Sequence, residues 1–160
     1  MEDSDEKWQD VGRSSVGAAI QSQYWAISRG DLNYIRKAIA IDESAKPALE
    51  SLLDQVSPEV RAQYPTPEGL AAFFVASVPA LAGIAIGRVL EDRSRPDDVS
   101  VSIGTLEPGA DRFGGTVLRF RRSSDGEWIR VIEPREIAQW REMAKWDKEL
   151  SKSRKWAVLK

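Results

Sequence analysis

The chain has 160 residues, 42% of them hydrophobic and 30% charged, a length that suits one domain with its own core. It contains no Cys and no His, which excludes disulfides, thiolate or imidazole zinc sites and catalytic pairs built on either residue. The net charge of −2 combines an acidic start, residues 1–10, with a basic end, residues 144–160, and the nearly neutral body between them does not favour nucleic-acid binding.

The N-terminal half is predicted to be helical. Residues 1–13 lack apolar periodicity and are expected to form a flexible acidic arm. Apolar residues then recur at helical spacing over residues 15–29, where Ser15 suits the N-cap and Gly30 the end. A second, short helix is predicted over residues 32–41. Three more helices are predicted over residues 42–57, 58–63 and 67–77, the last two each starting at a hydroxyl residue followed by Pro.

Past residue 79 the apolar residues alternate, as they do in strands. Four strands are predicted, over residues 84–91, 99–104, 116–121 and 128–132. The first turn is assigned to residues 93–98, so that Asp97 and Asp98 are interpreted as turn residues, and Asp125-Gly126 predicts a hairpin. A C-terminal helix over residues 135–150 and a basic tail over residues 151–160 follow. Helices, then hairpin-linked strands, then a helix predict one α+β domain over residues 14–150, with the N-terminal helices packed on a four-stranded antiparallel meander.

No segment has the roughly 18 consecutive apolar residues that a membrane span needs. The acidic start is the opposite of the basic region that begins a secretory signal peptide. The sequence therefore predicts a chain without a membrane span and, as written, a cytoplasmic location.

Two segments, Gln23–Leu32 and Asp125–Ile132, carry a family resemblance. An early helix that ends in a Gly-Asp step, and a closing strand that opens with Asp-Gly and a Trp, resemble the nuclear transport factor 2-like, cystatin-like cone superfamily. The resemblance implies a strongly bent sheet around the helices, with a conical cavity that can hold a small molecule. Related enzymes place an Asp base, a Tyr or a His–Asp pair in the cone. This chain has no His and few acids inside its strands, so no catalytic residue is carried over.

Six residues are candidate ligand contacts: Tyr24, Trp25, Phe73, Phe74, Arg88 and Trp128. The aromatic ones suit the wall of a pocket, and the alternative is that they are core residues. Arg88 has the strand parity of Ile84 and Ile86, which would make it a buried cation in need of an anion if that face points into the cone.

The remaining strand arginines are Arg119, Arg121, Arg122 and Arg130. They suit either an anion site or a solvated outer face of the sheet, and the solvated face is favoured. The acids Asp31, Asp42 and Glu43 stand at helix starts, where capping explains them better than acid–base catalysis.

The sequence thus favours a non-catalytic module that binds a protein partner or a small apolar or anionic ligand, without cofactor or metal, and that forms a homodimer through the sheet face. The alternatives are a small isomerase, dehydratase or hydrolase that uses Tyr24, Arg88 or an acid, and a module whose basic tail touches nucleic acid or a membrane.

Overall fold

The fold was obtained as a computed structural model, which describes residues 8–77, 83–106 and 109–150, with side chains up to Lys145 in the last helix. The helices are α1 (Val16–Arg29), α2 (Leu32–Ala38), α3 (Lys46–Gln55), α4 (Pro58–Gln63), α5 (Pro67–Ala76) and α6 (Pro134–Leu150). The strands are β1 (Ile39–Ile41), β2 (Gly83–Asp92), β3 (Arg95–Leu106), β4 (Gly114–Arg122) and β5 (Trp128–Ile132). The predicted α+β class is confirmed. The basic tail and residues 1–7 of the acidic arm lie outside the described residues.

The helix boundaries follow local capping chemistry, as the sequence predicts. The Ser15 side chain accepts a hydrogen bond from the Ala18 N–H, and Gly30 ends α1 in the left-handed region at φ 65°. The Thr66 hydroxyl accepts the Gly69 N–H at the start of α5, where Pro67 occupies the first turn. These short-range bonds satisfy backbone groups that the helices themselves leave without partners.

The sheet has five strands in the order β1-β5-β4-β3-β2, with β1 parallel to β5 and the other neighbours antiparallel. The predicted four-stranded antiparallel meander therefore omits β1, the fifth strand of the sheet. The helix predicted over residues 32–41 stops at Ala38, and Ile39 and Ile41 continue as β1. Both are β-branched and half-buried, and Ile39 pairs with Arg130 while Ile41 pairs with Ile132. Tertiary pairing with a distant strand overrides the helical spacing of these isoleucines.

The β2–β3 hairpin turns at Arg93 and Ser94 alone, which shortens the turn predicted over residues 93–98. Asp97 and Asp98 lie on β3, so their interpretation as turn residues is wrong. Asp98 is buried and stands opposite Arg121 of β4. A cross-strand charge pair, rather than a turn, holds Asp98 in place.

A bulge in β2 overturns the parity argument for Arg88. Ile86 pairs with Ile103 but Val89 pairs with Val101, so Gly87 and Arg88 together stand opposite one residue of β3. The bulge moves Arg88 off the face of Ile86, and the side chain is exposed to solvent.

Helices cover one face of the sheet. Ile20 of α1 packs on Val101, Ile103 and Phe120 in one buried cluster. A second cluster joins α2, α3 and α5 to β5 and α6, and its members include Ile35, Leu49, Leu52, Leu70, Phe74, Ile132, Ile137 and Trp140. None of the helices in the described part of the chain is long and apolar enough to cross a membrane.

Residues 8–13, the described part of the predicted arm, are anchored against α1 and β5. The Val11 N–H donates to the Ser22 hydroxyl at 2.9 Å, and the Trp128 N–H donates to the Arg13 carbonyl at 2.8 Å. The Trp8 ring lies 5.6 Å from the Tyr24 ring. Hydrogen bonds at Val11 and Arg13, together with the ring contact of Trp8, attach this stretch to α1 and β5, so it forms an irregular strap across the first helix.

Candidate functional site

A cavity of about 520 Å³ opens between α1, α5, α6 and the covered face of the sheet. Its polar lining residues are Gln23, Tyr24, Thr105, Thr116, Arg130, Arg135, Glu136 and Gln139. Its apolar lining residues include Ile27, Phe74, Val117, Leu118, Trp140 and Met143. The lining thus combines aromatic and aliphatic side chains, which a small molecule can pack against, with polar groups that can fix its orientation.

Two aromatic rings form one wall of this cavity. Phe74 of α5 and Trp140 of α6 stack with their planes 8° apart and their centroids separated by 5.4 Å. Both side chains are buried, and they belong to the helical core cluster. The wall is therefore held rigidly by the same packing that attaches α6 to the rest of the fold.

A buried ion pair forms the polar end of the cavity. One terminal nitrogen of Arg130, on β5, binds Oε1 of Glu136, on α6, and each side chain is only 11% exposed. The other oxygen of Glu136 accepts the Glu133 N–H at 3.1 Å, at the start of α6. Glu136 therefore does two structural tasks, since it neutralises Arg130 and satisfies a backbone donor at the helix N-terminus.

Tyr24 and Gln23 stand on α1 beside this pair. Burial raises the pKa of Tyr24 above its ordinary value, and the positive charge of Arg130 partly opposes that rise. The phenol thus stays protonated at neutral pH and can donate a hydrogen bond. The amide nitrogen of Gln23 and Nε of Arg130 are buried without a hydrogen-bond partner among the described residues. Such unpaired donors are uncommon in protein interiors.

The structure brings only two of the six predicted ligand contacts, Tyr24 and Phe74, to the cavity. Trp25 packs edge-on against Tyr34, with the Arg29 guanidinium over its ring. Phe73 stacks on Tyr64 at 4.8 Å.

The other two predicted contacts, Trp128 and Arg88, also lie outside the cavity lining. Trp128 packs against the cluster under α1 and lies beneath the Arg122 guanidinium. Arg88 is exposed on β2. In the sequence Arg130 is grouped with the other sheet arginines and Glu136 is not a candidate, although an acid at the third residue of a helix is a signal for a bond back to the residue before it.

A second charged cluster occupies the opposite face of the sheet. Nε of Arg119 donates to Asp98 at 3.0 Å, a terminal nitrogen of Arg119 also binds Asp98, and another reaches Asp42 at 3.2 Å. Arg121 donates to the other oxygen of Asp98 at 3.0 Å. The favoured interpretation of Arg119 as a solvated arginine is wrong, because only 9% of the residue is exposed.

The electrostatics of this second cluster are already balanced. Burial alone raises the pKa of Asp98, but hydrogen bonds from Arg119 and Arg121 outweigh it and hold that pKa below its ordinary value. The Ser44 hydroxyl and Arg119 lower the pKa of Asp42. Each guanidinium has a carboxylate partner, so the cluster links the residue after β1 to β3 and β4 and leaves little free charge for an added anion.

Among the residues that the structure describes, no three acidic side chains are grouped closely enough to hold a metal ion. Comparisons with protein-family models, curated proteins and solved structures found no match, so the cavity itself carries the functional argument. The resemblance to the nuclear transport factor 2-like superfamily stays a prediction.

Proposed function

We propose that the chain is a non-catalytic binding module of the nuclear transport factor 2-like kind, which holds a small, mostly apolar ligand in the cavity between α1, α5, α6 and the sheet. The observation that carries this proposal is the Arg130–Glu136 pair at one end of an aromatic-walled cavity of about 520 Å³. The apolar wall supplies affinity, and the polar end fixes the orientation of the ligand.

The charge at the polar end favours a neutral ligand over an anion. Glu136 already neutralises Arg130, and the other lining arginine, Arg135, pairs with Glu133 at 3.1 Å. A second carboxylate would therefore meet the negative charge of Glu136 without an unpaired arginine to offset it. A carbonyl or hydroxyl oxygen accepts a hydrogen bond from Arg130 or Tyr24 without that repulsion. We therefore narrow the apolar or anionic ligand of the sequence analysis to a neutral molecule with an oxygen acceptor at one end.

The alternative of a small enzyme has less support. A general base needs a carboxylate that can reach the substrate, and both oxygens of Glu136 are engaged, one by Arg130 and one by the Glu133 N–H. Tyr24, with its raised pKa, is a hydrogen-bond donor rather than a base at neutral pH. The polar groups of the cavity are suited to positioning a ligand.

The test uses two probes of nearly equal shape, naphthalene-2-carboxamide and 2-naphthoate, titrated by calorimetry into the full chain. We expect the neutral carboxamide to bind about tenfold more tightly than the carboxylate. Arg130→Met should weaken carboxamide binding, and Tyr24→Phe, which removes one hydroxyl and no packing volume, should weaken it by a smaller factor.

Arg36→Met is the matched control, because Arg36 is exposed on α2 and outside the cavity lining. Circular dichroism of each variant establishes that it is folded. Failure of both probes to bind at millimolar concentration, or equal binding by Tyr24→Phe, Arg130→Met and the parent chain, would contradict the proposal. Tighter binding of the naphthoate would instead identify an anion site.

A further inference from the structure

β2 is an outer edge of the sheet. The strand order ends at β2, and its ten residues, Gly83–Asp92, pair with β3 on one side only among the described residues. Such an edge presents a row of backbone N–H and C=O groups that can pair with another strand. At the other end of the order stands β1, which has three residues, so β2 offers much the longer edge.

This edge is apolar on both of its faces. Ile86, Val89 and Leu90 are 49%, 47% and 54% exposed. Ile86 and Val89 stand opposite Ile103 and Val101, on the face covered by α1, whereas Leu90 pairs with Ser100 on the other face. An added strand would bury aliphatic side chains on both sides of the sheet at once, as in the interior of a continuous sheet.

The charges of β2 indicate which strand fits. The bulge places Arg88 on the face of Leu90, since Gly87 and Arg88 together stand opposite Ser102, and Asp92 lies two residues beyond Leu90 on that face. If an identical strand pairs antiparallel about Leu90, Arg88 of one copy stands directly opposite Asp92 of the other, at the spacing of a cross-strand pair. Because the dimer has a two-fold axis, the same ion pair forms at two symmetric positions.

We propose that the β2 edge is the docking surface for a second copy of this chain, which pairs antiparallel with it and extends the sheet across a two-fold axis. The occupant follows from the strand's self-complementarity, with a cation near its centre and an acid at its end. This position differs from the sheet-face dimer expected from the sequence. The outer face next to β1 carries the balanced cluster of Asp42, Asp98 and Arg119, whereas the unpaired backbone groups lie at β2.

Sedimentation velocity of the full chain from about 1 to 100 μM tests the surface. We expect a concentration-dependent species of twice the monomer mass of 17.8 kDa, and Val89→Lys or Leu90→Lys should shift it to monomer. Val11→Lys is the matched control, because Val11 is 45% exposed on the strap and far along the chain from β2. A monomer throughout this concentration range, or a dimer unaffected by both β2 variants, would overturn the proposal.

A charge-exchange experiment tests the occupant and the register. Arg88→Glu alone and Asp92→Lys alone each place like charges across the axis, and we expect each to weaken its own dimer by about tenfold. An equimolar mixture restores both ion pairs in the mixed dimer, so it should associate more tightly than either variant does alone. Both substituted side chains are exposed. Asp92→Lys also removes the bond from the Ser94 N–H to Asp92, in both copies of its homodimer but in one copy of the mixed dimer, so the decisive comparison is with the Arg88→Glu homodimer, whose turns are intact. If the mixture associates no more tightly than each variant does alone, another strand or surface makes the contact.

Discussion

Replacement of Arg119 tests most directly whether its buried ion pair with Asp98 stabilises the fold. Its side chain is 10% exposed, and its partner Asp98 is 7% exposed. Arg119→Met keeps most of the aliphatic stem but leaves the Asp98 carboxylate buried with one guanidinium fewer. Breaking a buried pair from one side costs about 3–5 kcal/mol, because the remaining charge is neither solvated nor paired.

The structure places the expected loss at the lower end of that range. Asp98 keeps its bond to Arg121 at 3.0 Å, and Arg95 stands 3.9 Å away. We therefore expect Arg119→Met to lower the free energy of unfolding by about 3 kcal/mol at pH 7. The matched control is Arg122→Met, which breaks the Arg122–Asp97 pair, where both side chains are more than half exposed. That loss should stay within about 1 kcal/mol.

The pH dependence supplies a second readout. The pKa of Asp98 is lowered in the folded protein, so its stabilising contribution is present above the unfolded value of 3.8 and is lost as the pH falls through the folded value. Arg119→Met removes part of that lowering, and the pKa of Asp98 should rise. Protonation then relieves the unpaired charge, so the difference between parent and variant should narrow between pH 7 and pH 4.

Urea unfolding followed by tryptophan fluorescence at both pH values measures these differences. The double variant Asp98→Asn with Arg119→Met should be less destabilised than the sum of the two single variants, because no buried charge is left behind. Equal losses of stability in Arg119→Met and Arg122→Met, or a loss in Arg119→Met that grows as the pH falls, would show that the buried carboxylate does not need Arg119.

Two further predictions concern packing and backbone conformation, and urea unfolding measures both. Trp140→Ala should cost about 3–5 kcal/mol, since it removes the buried ring stacked on Phe74, while Gln139→Ala beside it, on the exposed side of α6, should change stability by about 0.5 kcal/mol or less. A small effect of Trp140→Ala would mean that the cavity wall is not packed as described. Gly30→Ala should cost about 1 kcal/mol because Gly30 has a φ of 65°, whereas a Cβ at Gly115 meets no atom within 4 Å and Gly115→Ala should be nearly neutral. Equal effects of the two glycine variants would contradict this explanation of the α1 end.

The elements that the sequence predicted correctly are those specified by neighbouring residues. The Ser15 and Thr66 caps and the Gly30 stop act within four residues of the helix ends that they define. The strand β1 depends instead on β5, about ninety residues further along the chain, and the spacing of Ile35 and Ile39 fits a helix equally well. Local periodicity cannot distinguish these two outcomes, because the deciding contact is distant.

The site was harder to predict than the fold because it depends on strand register. A single bulge in β2 moved Arg88 off the face of Ile86, and a turn four residues shorter than predicted placed Asp98 opposite Arg121. The helical pattern brought Tyr24 and Phe74 into the candidate set, but it nominated their neighbours Trp25 and Phe73 as well, and these pack against Tyr34 and Tyr64 outside the cavity. Arg130 and Glu136 are six residues apart and meet across the corner between β5 and α6, where the two-residue period of a strand changes to helical spacing and neither period predicts the contact.

The parallel pairing of β1 with β5 has a consequence for how the chain folds during synthesis. Ile39 can pair with Arg130 only after β2, β3 and β4, which lie between them in the sequence, have been translated, so the sheet position next to β1 stays vacant until then. Forming this late contact requires closing a long loop, which slows folding relative to a bundle of local hairpins. Since β5 lies between β1 and β4, the sheet becomes continuous only when β5 pairs with both of them. The α6 helix follows β5 in the chain and is the last described element available to pack on the core.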